Sequence, residues 1–378
     1  MQVSQVVLKN SDNVTAELTA LQTINPNLLL VFGSIELLKN IATPLAALFP
    51  SAIRVGCSTA GEISGDGVSD NTCVVTAARF DTTNLVESST QLLGMEDSQA
   101  AGKRLGQQLP QEGLRAVLVL GQGVAINGSA LIAGMVEAVG KAIPITGGLA
   151  GDAAAFTQTW VLEKTGVHND RLVCVGLYGD QLSFSHGSFG GWSPFGPARK
   201  VTRCDHNVLF ELDGEPALEV YKRYLGEHAK GLPASALLFP FAMLGSDHNE
   251  AGLIRTILGM DEKAGSLTLA GDIDPAGYLR LMHASTDALV DGAEAAAQAA
   301  KKALDSDGQG LALLVSCVGR KLVMGGRVDE EVEAVGDVFG QRAVLTGFYS
   351  NGEISPFTGN MECKLHNQTM TITYITEL

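Results

Sequence analysis

In four look-alike segments of this chain an acid directly follows a glycine: Gly61-Glu62, Gly151-Asp152, Gly271-Asp272 and Gly352-Glu353. Glycine there permits positive φ and lets a second backbone or a ligand come close. The acid has two uses. It can accept backbone N–H groups and lock its own turn, or it can offer a carboxylate to a ligand at strand ends, where loops carry function. Gly61, Glu62, Gly151, Asp152, Gly352 and Glu353 are the candidate pocket turns.

No catalytic signature accompanies them. Gly121-Gln122-Gly123 follows an apolar run, but no third glycine arrives at dinucleotide-binding spacing. Gly134 to Lys141 ends in Gly-Lys without the spacing or the hydroxyl residue of a phosphate loop. The nucleophile-elbow, zinc-protease and calcium-loop patterns are absent from the sequence. Six cysteines, at 57, 73, 174, 204, 317 and 363, form no CxxC or zinc-knuckle spacing, and most sit in apolar runs as reduced core thiols do. The residues point to a binding protein, not an enzyme.

The turns recur because the chain repeats itself. Gly56 to Ser64 reads GCSTAGEIS, and Gly347 to Ser355 reads GFYSNGEIS. Each follows a short apolar run and precedes an alternating strand, Asp70–Thr76 in one case and His366–Thr373 in the other. A third copy runs from Ala116–Leu120 through Ile143-Pro144-Ile145 into Gly147–Asp152, and on past His168-Asn169 to Leu172–Leu177. A weaker fourth trace is Leu269–Ile273. Each unit reads strand, helix, strand, Gly-acid turn, strand, and units too small to bury their own apolar faces must pack on one another. The expectation is an α/β fold of pseudo-repeated mixed β-sheets with flanking helices, in two lobes. Ser285 or Thr286 can cap an alanine-rich helix from Asp287 to Leu304, with Gly308 just past its end. The main boundary is expected near 223, giving domains 25–223 and 224–378.

Composition narrows the partners. With 46% hydrophobic and 18% charged residues, the 378-residue chain can bury a sizeable core. Its 41 acidic residues outnumber 26 basic ones for a formal charge of -15, which repels phosphate backbones; nucleic acid is not an expected partner. The densest basic group, Arg199, Lys200 and Arg203, is small. No run approaches the roughly 20 apolar residues of a membrane span, and Met1-Gln2-Val3-Ser4 lacks the basic-then-apolar start of a signal peptide. A soluble, cytoplasmic protein without membrane contact is expected.

The GCSTAGEI, GGLAGD and NGEI turns resemble the hallmark segments of the FIST N-terminal-type and C-terminal-type domains. Between the last two, Gly187–Pro197 (GSFGGWSPFGP), Val201–Arg203, Leu212–Leu218 and Tyr221–Gly226 strengthen the likeness, which runs from about residue 25 to the end. The resemblance implies a bacterial small-ligand sensor. Through the tryptophan-containing segment the chain is most similar to the haem-binding, nitric-oxide-sensing NosP branch. That branch implies b-type haem as cofactor, nitric oxide or another small ligand as signal, and a histidine kinase or a diguanylate cyclase or phosphodiesterase regulated in trans; a homo-oligomer is compatible.

A b-type haem needs an apolar slot and an axial ligand, often histidine. His168-Asn169 and His366-Asn367 fall where the first copy has Asp70-Asn71, which reads as turn chemistry, while His206, His228 and His248 sit in polar surroundings. His186 stands outside the repeat, before Gly187, Gly190 and Gly191 and among Phe189, Trp192 and Phe195, and is the candidate iron ligand. His283 is second. Arg199 and Arg203 could pair with propionates. Two rivals stay open: a haem-free FIST sensor for a small polar metabolite such as an amino acid, whose ammonium meets the turn carboxylates, and a scaffold that binds only protein.

Overall fold

Apolar runs such as Leu28–Phe32 and Ala116–Leu120 suit strands buried on both faces, and the computed structural model places them so. It describes residues 1–232, 234–245, 247–248, 250–302, 309–357 and 362–378.

The first unit comprises β1 (Gln2–Leu8), α1 (Val14–Thr19), β2 (Leu28–Gly33), α2 (Ile35–Leu48), β3 (Ile53–Ser58), the hairpin β4 (Glu62–Ser64) and β5 (Gly67–Ser69), and β6 (Cys73–Arg79). The second repeats the order: β7 (Asn84–Gln91), α3 (Ser98–Gln107), β8 (Leu114–Gly121), α4 (Gly128–Val139), β9 (Ile145–Leu149), β10 (Val161–Glu163), β11 (Gly166–His168) and β12 (Arg171–Tyr178). A third opens with β13 (Leu182–Phe189) and is then interrupted. The interruption holds β14 (Ser193–Pro194), β15 (Arg199–Asp205), β16 (Val208–Leu212), β17 (Glu215–Pro216), α5 (Ala217–Leu225), β18 (Phe241–Leu244), β19 (Glu250–Arg255), β20 (Ile257–Asp261), β21 (Ser266–Leu269) and β22 (Tyr278–His283). The third unit resumes with α6 (Thr286–Lys302), β23 (Gly310–Cys317), α7 (Val318–Met324), α8 (Asp329–Phe339), β24 (Ala343–Ser350), β25 (Gly352–Pro356), β26 (Cys363–His366) and β27 (Met370–Glu377). Of the expected alanine-rich helix, Leu304 and Gly308 lie outside the described residues.

Each unit builds the middle of a six-stranded mixed sheet. The first two strands of the unit pair in parallel, β2 with β3, β8 with β9 and β23 with β24, and the last strand returns antiparallel against the first. The short hairpin does not stay home. β4–β5 of the first unit extends the third unit's sheet through β24, β25–β26 of the third extends the second's through β9, and β10–β11 of the second extends the first's through β3. The sheet orders are β1-β6-β2-β3-β10-β11, β7-β12-β8-β9-β25-β26 and β13-β27-β23-β24-β4-β5, a closed ring of exchange.

Strand periodicity then sorts the side chains. One face of the three sheets, with Leu28, Leu30, Phe32, Leu118, Leu120, Leu313, Val315 and Phe348, meets in a shared central core. The other face packs under helices: Leu29 and Val31 under α1 and α2, Val117 and Val119 under α3 and α4, Ala312 and Leu314 under α6 and α8. Gly56, Gly147 and Gly347 occupy matching positions on the second strands, where a Cβ would collide with the carbonyls of Val31, Val119 and Leu314 on the first. Glycine is required there by space alone.

The interruption forms its own nine-stranded sheet and core around Leu209, Leu218, Tyr221 and Leu279. The second lobe is thus inserted into the third unit. Position 223/224 falls inside α5, and the trace Leu269–Ile273 begins at the end of β21, in the inserted sheet.

Phe348, fully buried, stacks on Phe32 of another unit with ring centroids 4.6 Å apart. Phe348→Ala is expected to cost about 3–5 kcal/mol and, because the units share this core, to lower a single transition. Urea unfolding followed by circular dichroism and tryptophan fluorescence checks this; two resolved transitions would contradict it.

Candidate functional site

The repeated acids are held in matching ways in the first and third units. Glu62 accepts from Thr59 Oγ1 at 2.5 Å, Thr72 N at 3.0 Å and Thr72 Oγ1 at 2.8 Å. Glu353 accepts from Ser350 Oγ at 2.9 Å, Thr369 N at 3.2 Å and Thr369 Oγ1 at 2.9 Å. Both carboxyls are buried, and burial raises both against these hydrogen bonds, Glu353 to about 8. They lock their hairpins.

Asp152 locks a different turn. Its carboxylate accepts from the N–H groups of Phe156, Thr157 and Gln158 at 2.7–3.0 Å. Sequence likeness aligns Asp152 with Glu62 and Glu353, but the register corrects this: Val161 faces His168 as Glu62 faces Ser69 and Glu353 faces His366. The histidines therefore match Ser69, one residue before the Asp70 position expected for them. Ala153, Ala154 and Phe156 adopt left-handed backbone, with φ of 54, 65 and 53°. Such conformations cost about 1 kcal/mol or more each and cluster where a surrounding structure over-determines them; the three N–H bonds to Asp152 supply that constraint.

Around these turns lies a cavity of about 760 Å³ built by all three units. The first supplies Ser34 and Ser58 at the ends of β2 and β3, the Thr59–Glu62 turn, and Asp70 and Asn71 from the tip beyond β5; the second supplies Asp152, Gln158 and Trp160; the third supplies Lys321 from α7. Lys321 Nζ donates to the Ala60 carbonyl at 2.9 Å and pairs with Asp70. Gly61, with φ 142°, makes room for it, since a Cβ there would strike the ammonium. Asn71 and Gln158 spend no side-chain hydrogen bond on the protein among the described residues. One ammonium and three carboxylates, two of them occupied by turns, leave an acidic, polar pocket with an indole wall. Gly352 and Glu353 lock a hairpin elsewhere, on the second unit's sheet.

Lys321, Asp70 and Trp160 are the site residues that sequence reading missed. The available signal was positional: Lys321 stands in the first turn of the helix after the first strand of its unit, as α2 follows β2 in the first.

The histidine group is distributed differently. His186 lies in β13 opposite Thr373, its Nε2 3.3 Å from the Phe357 carbonyl. Trp192 Nε1 donates to the Gln368 carbonyl at 2.7 Å, and Phe189 is exposed. Arg199 binds Asp213 and Tyr224, Arg203 binds Glu211, and His283 meets the edge of Phe195. Arg199 lines a cavity of about 10 Å³. No set of three or more His, Cys, Asp or Glu side chains gathers as a metal site among the described residues. The six cysteines form no disulfide and five of them are buried, and no described helix is long and apolar enough to cross a membrane.

Residues 27–215 match the FIST N domain and residues 217–356 the FIST C domain, so the chain belongs to the FIST family, whose domains are generally sensory parts of signalling proteins. An uncharacterized protein of Methanocaldococcus jannaschii is 36% identical over 89 residues, 23% of this chain and 17% of that protein's length. Two solved cyanuric acid hydrolases align along the whole chain, one from A. caulinodans at TM-score 0.40 and 9% identity over 98% of its own chain, another at 0.35 and 10% over 99%. Likeness this low carries no argument about activity.

Beside His186, His366 is buried and donates Nε2–H to the Ser355 carbonyl at 3.0 Å; burial lowers it from 6.5 to about 4. A lowered histidine contributes stability that is complete above 6.5 and lost as pH falls through 4. His366→Gln is therefore expected to lose less stability than the parent between pH 6.5 and 4, by roughly 3 kcal/mol, in urea titrations across that range. Parallel curves would contradict it.

Proposed function

We propose that this chain is a sensor whose signal is a small polar metabolite carrying an ammonium group, such as an amino acid, bound in the cavity at the Gly61–Glu62 and Asp152 turns. The observation that carries the reading is the convergence of loops from all three units on one polar, acidic cavity with a single ammonium, Lys321, set in it. A zwitterion would exchange partners with the Lys321–Asp70 pair, its carboxylate taking Lys321 and its ammonium taking Asp70. Charge-assisted bonds of this kind are about twice as strong as neutral ones. Asn71 and Gln158 would then read the remaining polar atoms, and Trp160 the body of the ligand.

The same reading gives the protein no reaction to catalyse. Occupancy selects one arrangement of the loops around Lys321, and a partner in trans, a histidine kinase or a cyclic-di-GMP enzyme, reads that arrangement by its different affinity for the two states.

Thermal-shift screening of haem-free protein against amino acids and related amines is the test. At a hundredfold excess over Kd a ligand stabilises by about 2.7 kcal/mol, and Lys321→Met is expected to abolish that shift. A Soret band in protein grown with added haem, together with no response to any amine or amino acid, would overturn the reading in favour of haem.

A further inference from the structure

The fourth Gly-acid segment behaves unlike the other three. Asp272 accepts no backbone N–H among the described residues; its Oδ1 receives only Asn127 Nδ2, at 3.3 Å. Instead it lines a second cavity, of about 970 Å³, between α4 of the second unit, the β26 strand of the exchanged hairpin and the inserted sheet. Ile132 and Val136 on one side and Leu253 and Leu365 on the other give it apolar walls, with Glu137, Lys141, Glu362 and Lys364 also in the lining.

Arg255 lies at this cavity with only 3% of its surface exposed. Its Nε donates to the Asp272 carbonyl at 3.3 Å, and its Nη1 donates to the carbonyls of Ile254 and Leu365 at 3.3 and 3.1 Å. Nη2 has no protein acceptor, and no carboxylate oxygen lies within ion-pair distance of the guanidinium among the described residues. Neighbouring Gly271 carries no side chain because a Cβ would come within 2.8 Å of Nε. Burial lowers Arg255 to about 10, which still leaves it charged at neutral pH. The carboxylate whose charge acts on Arg255 is that of Asp272, at the same cavity but not in an ion pair with it, so one edge of a buried guanidinium is left without an acceptor, which is costly. Lys364 pairs with Glu362 at the rim, where Glu137 and Lys141 also line the cavity.

We propose that this cavity is a second ligand site, for a monocarboxylic acid with an apolar body, whose carboxylate takes the open Nη2 edge of Arg255. The apolar walls hold the body of the ligand, and Nη2 gains the acceptor that the protein does not provide. Inorganic phosphate would satisfy the charge but leave the walls wet. Because the walls belong to two lobes, a bound acid bridges α4 and the inserted sheet.

Isothermal titration of the full chain with straight-chain carboxylates from butanoate to dodecanoate tests this, with octanol as the uncharged control. Saturable octanoate binding is expected, at least tenfold tighter than octanol. Arg255→Lys should weaken it at least tenfold. Ala133→Phe, which fills the mouth from the exposed side of α4 and leaves Arg255 in place, should abolish it even if the arginine variant folds poorly. Lys321→Met should bind octanoate unchanged, which separates this site from the metabolite pocket. No saturable carboxylate binding up to millimolar concentration, or binding indifferent to Ala133→Phe, would overturn the proposal.

Discussion

The exchange of hairpins between units is the constraint from which the rest of the architecture follows. None of the three sheets is finished by its own sequence neighbourhood, since each takes its last two strands from another unit. An unpaired strand edge invites association, and here the edges of β3, β9 and β24 are covered from within the chain. The same exchange brings three sets of connecting loops together, and so makes a cavity that no single unit could enclose.

It also explains why the acids of the first and third units are so well buried. Glu62 and Glu353 stand at the start of exchanged hairpins, where a chain leaving one sheet for another needs its direction fixed. Their hydroxyl and N–H donors fix it, at the expense of desolvating a carboxyl. On α7, Arg320 is fully buried with Glu331, which also accepts from Ser316 and Tyr349. The guanidinium reaches on to the carbonyls of Gly190, on the connection into the inserted lobe, and Leu289, in the first turn of α6 that follows it. Lys321, the next residue, lines the cavity at the Gly61–Glu62 and Asp152 turns. One short helix therefore touches both the cavity and the segments that flank the second lobe, which gives a change at the first a short physical route to the second.

Much of the fold was legible because buried strands betray themselves. Continuous apolar runs such as Leu28–Phe32 exist because both faces are covered, and GCSTAGEIS and GFYSNGEIS repeat because Ser or Thr must stand three residues before the glutamate it binds. The destination of each hairpin was not legible, since a repeat reads the same whether its hairpin pairs at home or abroad. Asp152 was misaligned because the segment 150–160 separates it from the hairpin, where Val161 takes the acid's place. Lys321 was invisible for a related reason: Ala60 and Asp70 lie 261 and 251 residues away in sequence. After His186, Trp192 donates its N–H to the Gln368 carbonyl and Phe195 lies against Phe239 and His283, partners that spacing along the sequence does not show.

Native-state hydrogen exchange, resolved by peptide, tests the welding of the units most directly. If the exchanged hairpins close the ring, the amides of β4, β10 and β25 open only with global unfolding, at the same free energy as the central strands β2, β8 and β23. Exchange from those hairpins at a free energy well below the global value, with the central strands still protected, would contradict the account.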